Sequence, residues 1–179
     1  HSRTDFDLKQ HEQFSGKKLQ FFDPEMNQSY VPYVVETSVG LDRMFLAVLS
    51  AAYQEETLED GSERVVLKIP AVLAPYKAAI LPLIKKDGLP EKAREIMAQL
   101  QLEYSVQYDE KDSIGKRYRR QDAIGTPFSI TVDHQTLEDN TVTIRDRDTM
   151  TQDRIAIAAL ENVIADKASW KRVLSDLIS

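Results

Sequence analysis

The sequence predicts an α/β fold built on a mixed β-sheet flanked by helices, and three observations within residues 76–179 carry that expectation. Lys77-Ala78-Ala79-Ile80-Leu81-Pro82-Leu83 is nearly continuous in apolar residues, as a strand covered on both faces requires. Phe128, Ile130 and Val132 alternate with Ser129, Thr131 and Asp133, and Val142 and Ile144 alternate with Thr143 and Arg145, which is the period of half-buried strands. Between these runs, Ala93, Ile96, Met97 and Leu100 recur at helical spacing.

Taken in order, Tyr30 to Val35 is a β-branched and aromatic run that reads as a strand. Leu41, Met44, Phe45, Val48, Leu49 and Ala52 then form one helical stripe, with Ser38 as the expected N-cap and Asp42 in the positive first turn. Arg64 to Ile69 reads as a further short strand. Pro70-Ala71-Val72-Leu73-Ala74-Pro75 is the expected boundary, because two prolines limit helix continuation. Beyond it come the strand at 77–83, a helix opened by Gly88-Leu89-Pro90, and a short strand at Val106 and Tyr108. A helix from Ile114 to Ala123 follows, ended by Gly125. A hairpin through Glu138-Asp139-Asn140, a strand at Ile155 and Ile157, and terminal helix through Leu160, Val163, Ile164, Trp170, Val173, Leu174 and Leu177 complete the order β-α-β-α-β-β-β-α. Early βαβ crossovers are parallel and the late hairpin is antiparallel, so the sheet is expected to be mixed. Met44 and Trp170 are expected in the core. The expected domains are residues 1–74, the end of one domain, and 75–179, a complete second one.

The 179 residues are 42% hydrophobic and 29% charged, the composition of a globular protein rather than a disordered or fibrous one. The longest apolar run, around Ala78 to Leu83, is far short of the roughly 20 residues of a membrane span, so no membrane partner is expected. No cysteine is present, which excludes disulfides, thiolate nucleophiles and cysteine zinc sites and makes a cytoplasmic location the expectation. The net charge of −6 argues against broad affinity for nucleic acid. The chain begins at His1 rather than Met, which reads as a chain either processed or cut from something longer.

Two segments carry candidate chemistry. Lys116-Arg117-Tyr118-Arg119-Arg120 places four cations around one aromatic residue in an acidic chain, with Arg145-Asp146-Arg147-Asp148 beside it in the expected sheet. One reading is a solvated helix face with salt bridges. The other is a local site for single-stranded nucleic acid, with arginines on phosphate and base edges and Tyr118 and Phe128 as stacking faces. Glu36-Thr37-Ser38-Val39-Gly40-Leu41-Asp42-Arg43 is the second segment. Gly40 permits close backbone approach, and Arg43 lies where a helix N-terminus would meet a nucleotide phosphate; a capped helix with a surface arginine is the alternative. His1, His11 and His134 lack metal-ligand spacing, so no metal site is expected. Ser, His and Asp residues form no recognisable triad.

At these residues the chain resembles the C-terminal part of class II glycyl-tRNA synthetases of the homodimeric type. The resemblance runs through Arg3-Thr4-Asp5-Phe6-Asp7-Leu8-Lys9-Gln10-His11, Val35-Glu36-Thr37-Ser38, Gly40-Leu41-Asp42-Arg43, Ser113-Ile114-Gly115-Lys116-Arg117-Tyr118, Gln121-Asp122-Ala123-Ile124-Gly125-Thr126-Pro127-Phe128 and Thr141 to Thr149. It implies that residues 1–74 are the truncated end of an antiparallel-sheet catalytic domain and 75–179 an anticodon-binding domain. It also implies that Arg43, in motif 3, contacts ATP, and that Glu36 and Ser38 hold glycine; Thr37 replaces the family's more familiar proline. Lys116, Arg117, Arg119, Arg120, Phe128, Arg145 and Arg147 become candidates for the anticodon stem-loop of tRNA(Gly). The implied parent is a homodimer using ATP and Mg²⁺ to activate glycine and transfer it to tRNA. Motifs 1 and 2 have no counterpart in this sequence, so the chain alone is expected to make no glycyl-adenylate and to hold no cofactor. A non-catalytic accessory module, using the same fold to bind another nucleic acid or a protein, is the other functional expectation.

Overall fold

The computed structural model describes residues 1–178, without the side chains of Arg172, Asp176 and Leu177. Its contacts divide the chain into two compact units, 1–46 and 47–179.

The first unit holds β1 (Ser2–Thr4), α1 (Phe6–Ser15), β2 (Phe21–Asp23), β3 (Gln28–Tyr30), β4 (Val34–Val35) and the first half of α2 (Leu41–Ala52). β1 pairs antiparallel with β4, and β2 with β3. The Tyr30–Val35 run is thus split between two strands, because Pro32 cannot donate to a ladder. Helix α1, which the sequence reading omitted, ends on Gly16 in the left-handed region, whose N–H donates to the Glu12 carbonyl. The Gly40 carbonyl accepts from the Met44 N–H at 3.0 Å, so the cap position of α2 falls on Gly40 rather than Ser38. No residue from 1 to 46 is buried, and Met44 is exposed instead of packed in a core.

The second unit continues with β5 (Tyr53–Thr57), β6 (Glu63–Leu67), β7 (Ala78–Pro82), α3 (Leu89–Leu100), β8 (Val106–Tyr108), α4 (Ile114–Ile124), β9 (Phe128–Val132), α5 (His134–Asp139), β10 (Thr141–Asp146), β11 (Gln152–Ala156), α6 (Leu160–Ala168) and α7 (Trp170–Ile178). Its main sheet is five-stranded in the order β11-β10-β9-β7-β8. β7 lies parallel to β8 and β9, while β9–β10 and β10–β11 are antiparallel. The sheet is mixed, as the sequence predicts. Because side chains alternate across a strand, one sheet face offers Ala78, Ile80, Val106, Ile130, Val132, Val142 and Ile144. That face packs with Ala93, Ile96 and Leu100 of α3 and Leu160 and Ile164 of α6 to make the main core. The opposite face carries Gln107, Ser129, Thr131 and Arg145 and is met by α4.

Three differences from the sequence reading have physical causes. The expected boundary at 74/75 is not where the contacts part. Ile69 and Ala74 are buried with Ala52, and the Lys77 ammonium donates to the carbonyls of Ala71, Val72 and Ala74 at 2.8–3.1 Å, tying the proline segment to β7. Burial pulls the Lys77 pKa below its ordinary value. The expected β9–β10 hairpin contains α5, started by a capping box in which the Asp133 side chain accepts from the Thr136 N–H; threonine at that position, in place of the usual Glu or Gln, disguised the motif. Trp170 is 54% exposed rather than core, because α7 packs onto α6 outside the main core.

Candidate nucleic-acid interface

The basic cluster expected on the surface is largely an interior structure. α4 turns Arg117, Gln121 and Asp122 toward the sheet and buries them. Asp122, fully buried, accepts a two-pronged bond from Arg145, Nη1 to Oδ1 at 2.8 Å and Nη2 to Oδ2 at 3.0 Å. The Arg145 guanidinium also stacks 4.9 Å from the centre of the Tyr118 ring, whose hydroxyl is 2.7 Å from Thr131 Oγ1. From β6, Arg64 brings Nε to 3.4 Å from Asp122 Oδ2 and donates through Nη2 to the Arg147 carbonyl at 2.6 Å. Arg147 donates to the Gly125 carbonyl at 2.8 Å and pairs with Asp148. Arg117, Arg145 and Arg147 are therefore not available to meet a ligand's phosphates, and Phe128 is buried rather than offered for stacking. The physical reason is a shortage of apolar cover on this sheet face. Its polar side chains are enclosed by arginines whose charge a buried carboxylate offsets.

Of the remaining cluster, Arg119 is half-buried and donates to Ser62 Oγ at 3.2 Å. Arg120 is half-exposed and engaged by Asp109 at 2.8 Å and Asp112 at 2.9 Å. Lys116 alone of these candidates is exposed and, among the described residues, in no ion pair.

Exposed positive charge gathers instead at the carboxyl ends of β7 and β8. The loop after β7 carries Lys85 and Lys86, the loop after β8 carries Lys111, and Lys116 lies in the first turn of α4. All four are exposed, and none pairs with a carboxylate among the described residues. The acids of the same edge are engaged elsewhere. Asp87 lies 3.0 Å from the His134 ring, Glu110 accepts from the Tyr108 hydroxyl, and Asp109 and Asp112 hold Arg120. Burial and the Glu110 bond push the Tyr108 hydroxyl up to about 12. Burial alone would raise Asp109, but the Lys111 N–H and the Arg120 guanidinium outweigh it and hold that carboxyl below its ordinary value. Sequence reasoning missed Lys85, Lys86 and Lys111. The signal that finds them is topological: α3 and α4 leave adjacent strands for opposite faces, and such a switch point in an open sheet is where ligands meet the carboxyl ends of strands.

In the first unit, Glu36, Ser38 and Arg43 lie along one exposed stretch after β4. Glu36 exchanges backbone hydrogen bonds with His1, and its half-exposed carboxylate lies 3.5 Å from the Arg3 guanidinium. Arg3, itself held by Asp7 at 2.7 Å, is a neighbour that sequence reasoning did not connect to this stretch. A carboxylate for an ammonium group and a guanidinium for phosphate are both present. Among the described residues, no group of three or more His, Cys, Asp or Glu side chains could hold a metal ion.

The family described as "Anticodon binding domain" matches residues 77–167, just over half of the chain, from the start of β7 to the end of α6. The chain belongs to this anticodon-binding-domain family. Proteins named glycine-tRNA ligase are also similar to it: 55% identity over 167 residues in Chlorobaculum tepidum, 55% over 168 in Clostridium tetani and 52% over 170 in Staphylococcus haemolyticus. These alignments take in 93–94% of the chain but 35–36% of the relatives, so the chain spans about a third of their length. The crystal structure of the RNA binding domain of threonyl-tRNA synthetase from Cryptosporidium parvum superposes with a TM-score of 0.52 at 22% identity, covering 56% of this chain and 26% of that one, a likeness of fold. Within the anticodon-binding domain, the matched segment includes the exposed lysine edge and most of the buried arginine cluster. Arg64, on the β5–β6 hairpin, is supplied from outside it. No helix among the described residues is long and apolar enough to cross a membrane.

Proposed function

We propose that this chain is the tRNA-contacting portion of a glycine-tRNA ligase and that residues 83–88, Lys111 and Lys116 meet the backbone of the anticodon stem-loop. The observation that carries the reading is the set of four lysines at one sheet edge that, among the described residues, pair with no carboxylate, while the acids of that edge are engaged elsewhere. A net charge of −6 is then compatible with an RNA partner, because the local field rather than the average acts at contact distance. The test is an anisotropy titration with a glycine-tRNA anticodon stem-loop over a range of salt. Four phosphate contacts predict a slope of log K against log salt of about −3, reduced by about one unit on Lys116→Ala. A slope near zero would reject the assignment, whereas equal affinity for a stem-loop with an altered anticodon would leave the backbone contacts standing, because phosphates carry no sequence information.

For the longer protein, the reading is ATP-dependent activation of glycine and its transfer to tRNA by a homodimer. Glu36 and Ser38 would contact the glycine ammonium and Arg43 the nucleotide phosphates, with Mg²⁺ entering alongside the triphosphate. The first unit buries none of these groups, and class II chemistry depends on reactants held within fractions of an ångström. The chain alone is therefore expected to give no glycine-dependent ATP–pyrophosphate exchange. Robust exchange by the purified chain would overturn that expectation.

A further inference from the structure

We propose that Arg117 and Arg120 of α4 act as positioning residues, a clamp that sets the two lysine-bearing loops in the geometry an RNA backbone requires. The inference rests on the RNA reading above and assigns neither arginine a contact with RNA. Arg117 Nη1 donates to the Pro82 carbonyl at 2.5 Å and to the Asp109 carbonyl at 3.3 Å, and Nη2 donates to the Leu83 carbonyl at 3.2 Å. Its fork thus bridges the end of β7 to the residue just after β8. Every acceptor it touches is a backbone carbonyl, so the group serves as a bracket between chain segments rather than as half of an ion pair. The residue is buried, and among the described residues its Nε has no hydrogen-bond partner, the cost of placing a guanidinium where only the two Nη groups have acceptors.

Arg120, three residues along the same helix, holds the second loop. Its Nε and Nη2 donate to Asp109 Oδ2 at 3.1 and 2.8 Å, Nη1 to Asp112 Oδ2 at 2.9 Å, and Nη2 to the Lys111 carbonyl at 2.5 Å. Asp109 in turn accepts the Lys111 N–H at 2.9 Å. Loops 83–88 and 109–113 lie outside helix and strand, so without these bonds their lysines would have to be ordered at the moment of binding, which weakens association. Planarity explains the choice of arginine: one guanidinium reaches carbonyls at the ends of two neighbouring chain segments at once, and a lysine ammonium on a flexible stem does not reproduce that fork.

Two substitutions separate this role from direct contact. Arg117→Lys keeps the charge and loses the fork. It should weaken stem-loop binding about tenfold or more while leaving the salt slope unchanged, because no phosphate contact is removed. Asp109→Asn removes a negative charge from the RNA edge, so electrostatics alone predicts tighter binding. The clamp predicts weaker binding, because the amide offers one acceptor oxygen where the carboxylate's Oδ1 takes the Lys111 N–H and its Oδ2 the Arg120 guanidinium, so one of the two bonds is lost. In the unbound variants, amides of 83–88 and 109–113 should exchange hydrogen faster while those of α3 and β9 keep their rates. Three results would overturn the proposal: Arg117→Lys binding within about twofold of the unsubstituted chain, a slope reduced by about one unit as for a phosphate ligand, or tighter binding by Asp109→Asn. If Arg117→Lys does not fold, the sign of the Asp109→Asn effect decides. Failure of the unsubstituted chain to bind would overturn the RNA reading and the clamp's role with it. Normal binding by both variants, in a chain that does bind, overturns the clamp alone.

Discussion

Replacing Asp122 by alanine is expected to remove about 4 kcal/mol of the second unit's stability, read as a lower urea midpoint at unchanged slope. Asp122 is the fully buried carboxylate in the cluster, and Arg145 and Arg64 both converge on it. Removing it leaves the buried Arg145 guanidinium without its carboxylate and Arg64 with Glu56, at 3.5 Å, as its remaining counter-charge; among the described residues, Arg64 Nε and Nη1 already lack hydrogen-bond acceptors. Breaking one side of such a pair costs about 3–5 kcal/mol, a large part of the roughly 5–15 kcal/mol that holds a domain together. A loss below about 1 kcal/mol would show that the arginines find other partners and that the cluster is not held through this residue. The same geometry changes what Arg145→Ala tests. Read from sequence, that substitution should weaken RNA binding in an intact domain; in the structure, it removes both charge-assisted bonds to the buried Asp122, leaves Arg64 at 3.4 Å as its remaining cation, and destabilises the domain.

Gly125→Ala is expected to cost about 3 kcal/mol, from two separate causes. Gly125 ends α4 at φ 82°, in the left-handed region that a side chain makes unfavourable. A Cβ there would lie 2.8 Å from Ile69 Cγ2 and 3.0 Å from the Leu67 carbonyl oxygen. The methyl group can shift; the carbonyl belongs to β6 and cannot do so without moving the hairpin. Gly88 is the control. Its φ of 79° is nearly the same but nothing lies within 4 Å of the added atom, so Gly88→Ala should cost only about 1 kcal/mol. Equal losses in the two variants, measured by chemical denaturation, would show that the close approach to β6 contributes nothing.

The main sheet was legible because its strands and helices announce themselves locally. Continuous apolar residues in β7, alternation in β9 and β10, and the stripe of α3 report burial through nearest neighbours in sequence. Helix α5 was hidden because a capping box closed by threonine looks like a turn, and α1 because it buries none of its residues and so shows no marked apolar stripe. The split of α2 between the two units, together with the packing of Ile69 and Ala74 against Ala52, depends on contacts that no local pattern reports.

From sequence alone come the mixed α/β fold, the family resemblance and the presence of a basic segment in an acidic chain. Only the tertiary structure decides which of those charges face water. A cation beside a strand has two stable fates, solvation or burial against a carboxylate, and the choice depends on partners distant along the chain. Arg145 finds Asp122 23 positions away, and Arg64 finds the Arg147 carbonyl 83 positions away. Once these arginines are enclosed, the exposed positive edge falls to Lys85, Lys86, Lys111 and Lys116. Sequence marks three of them only as loop residues, and parallel pairing of β7 and β8 brings them to one end of the sheet.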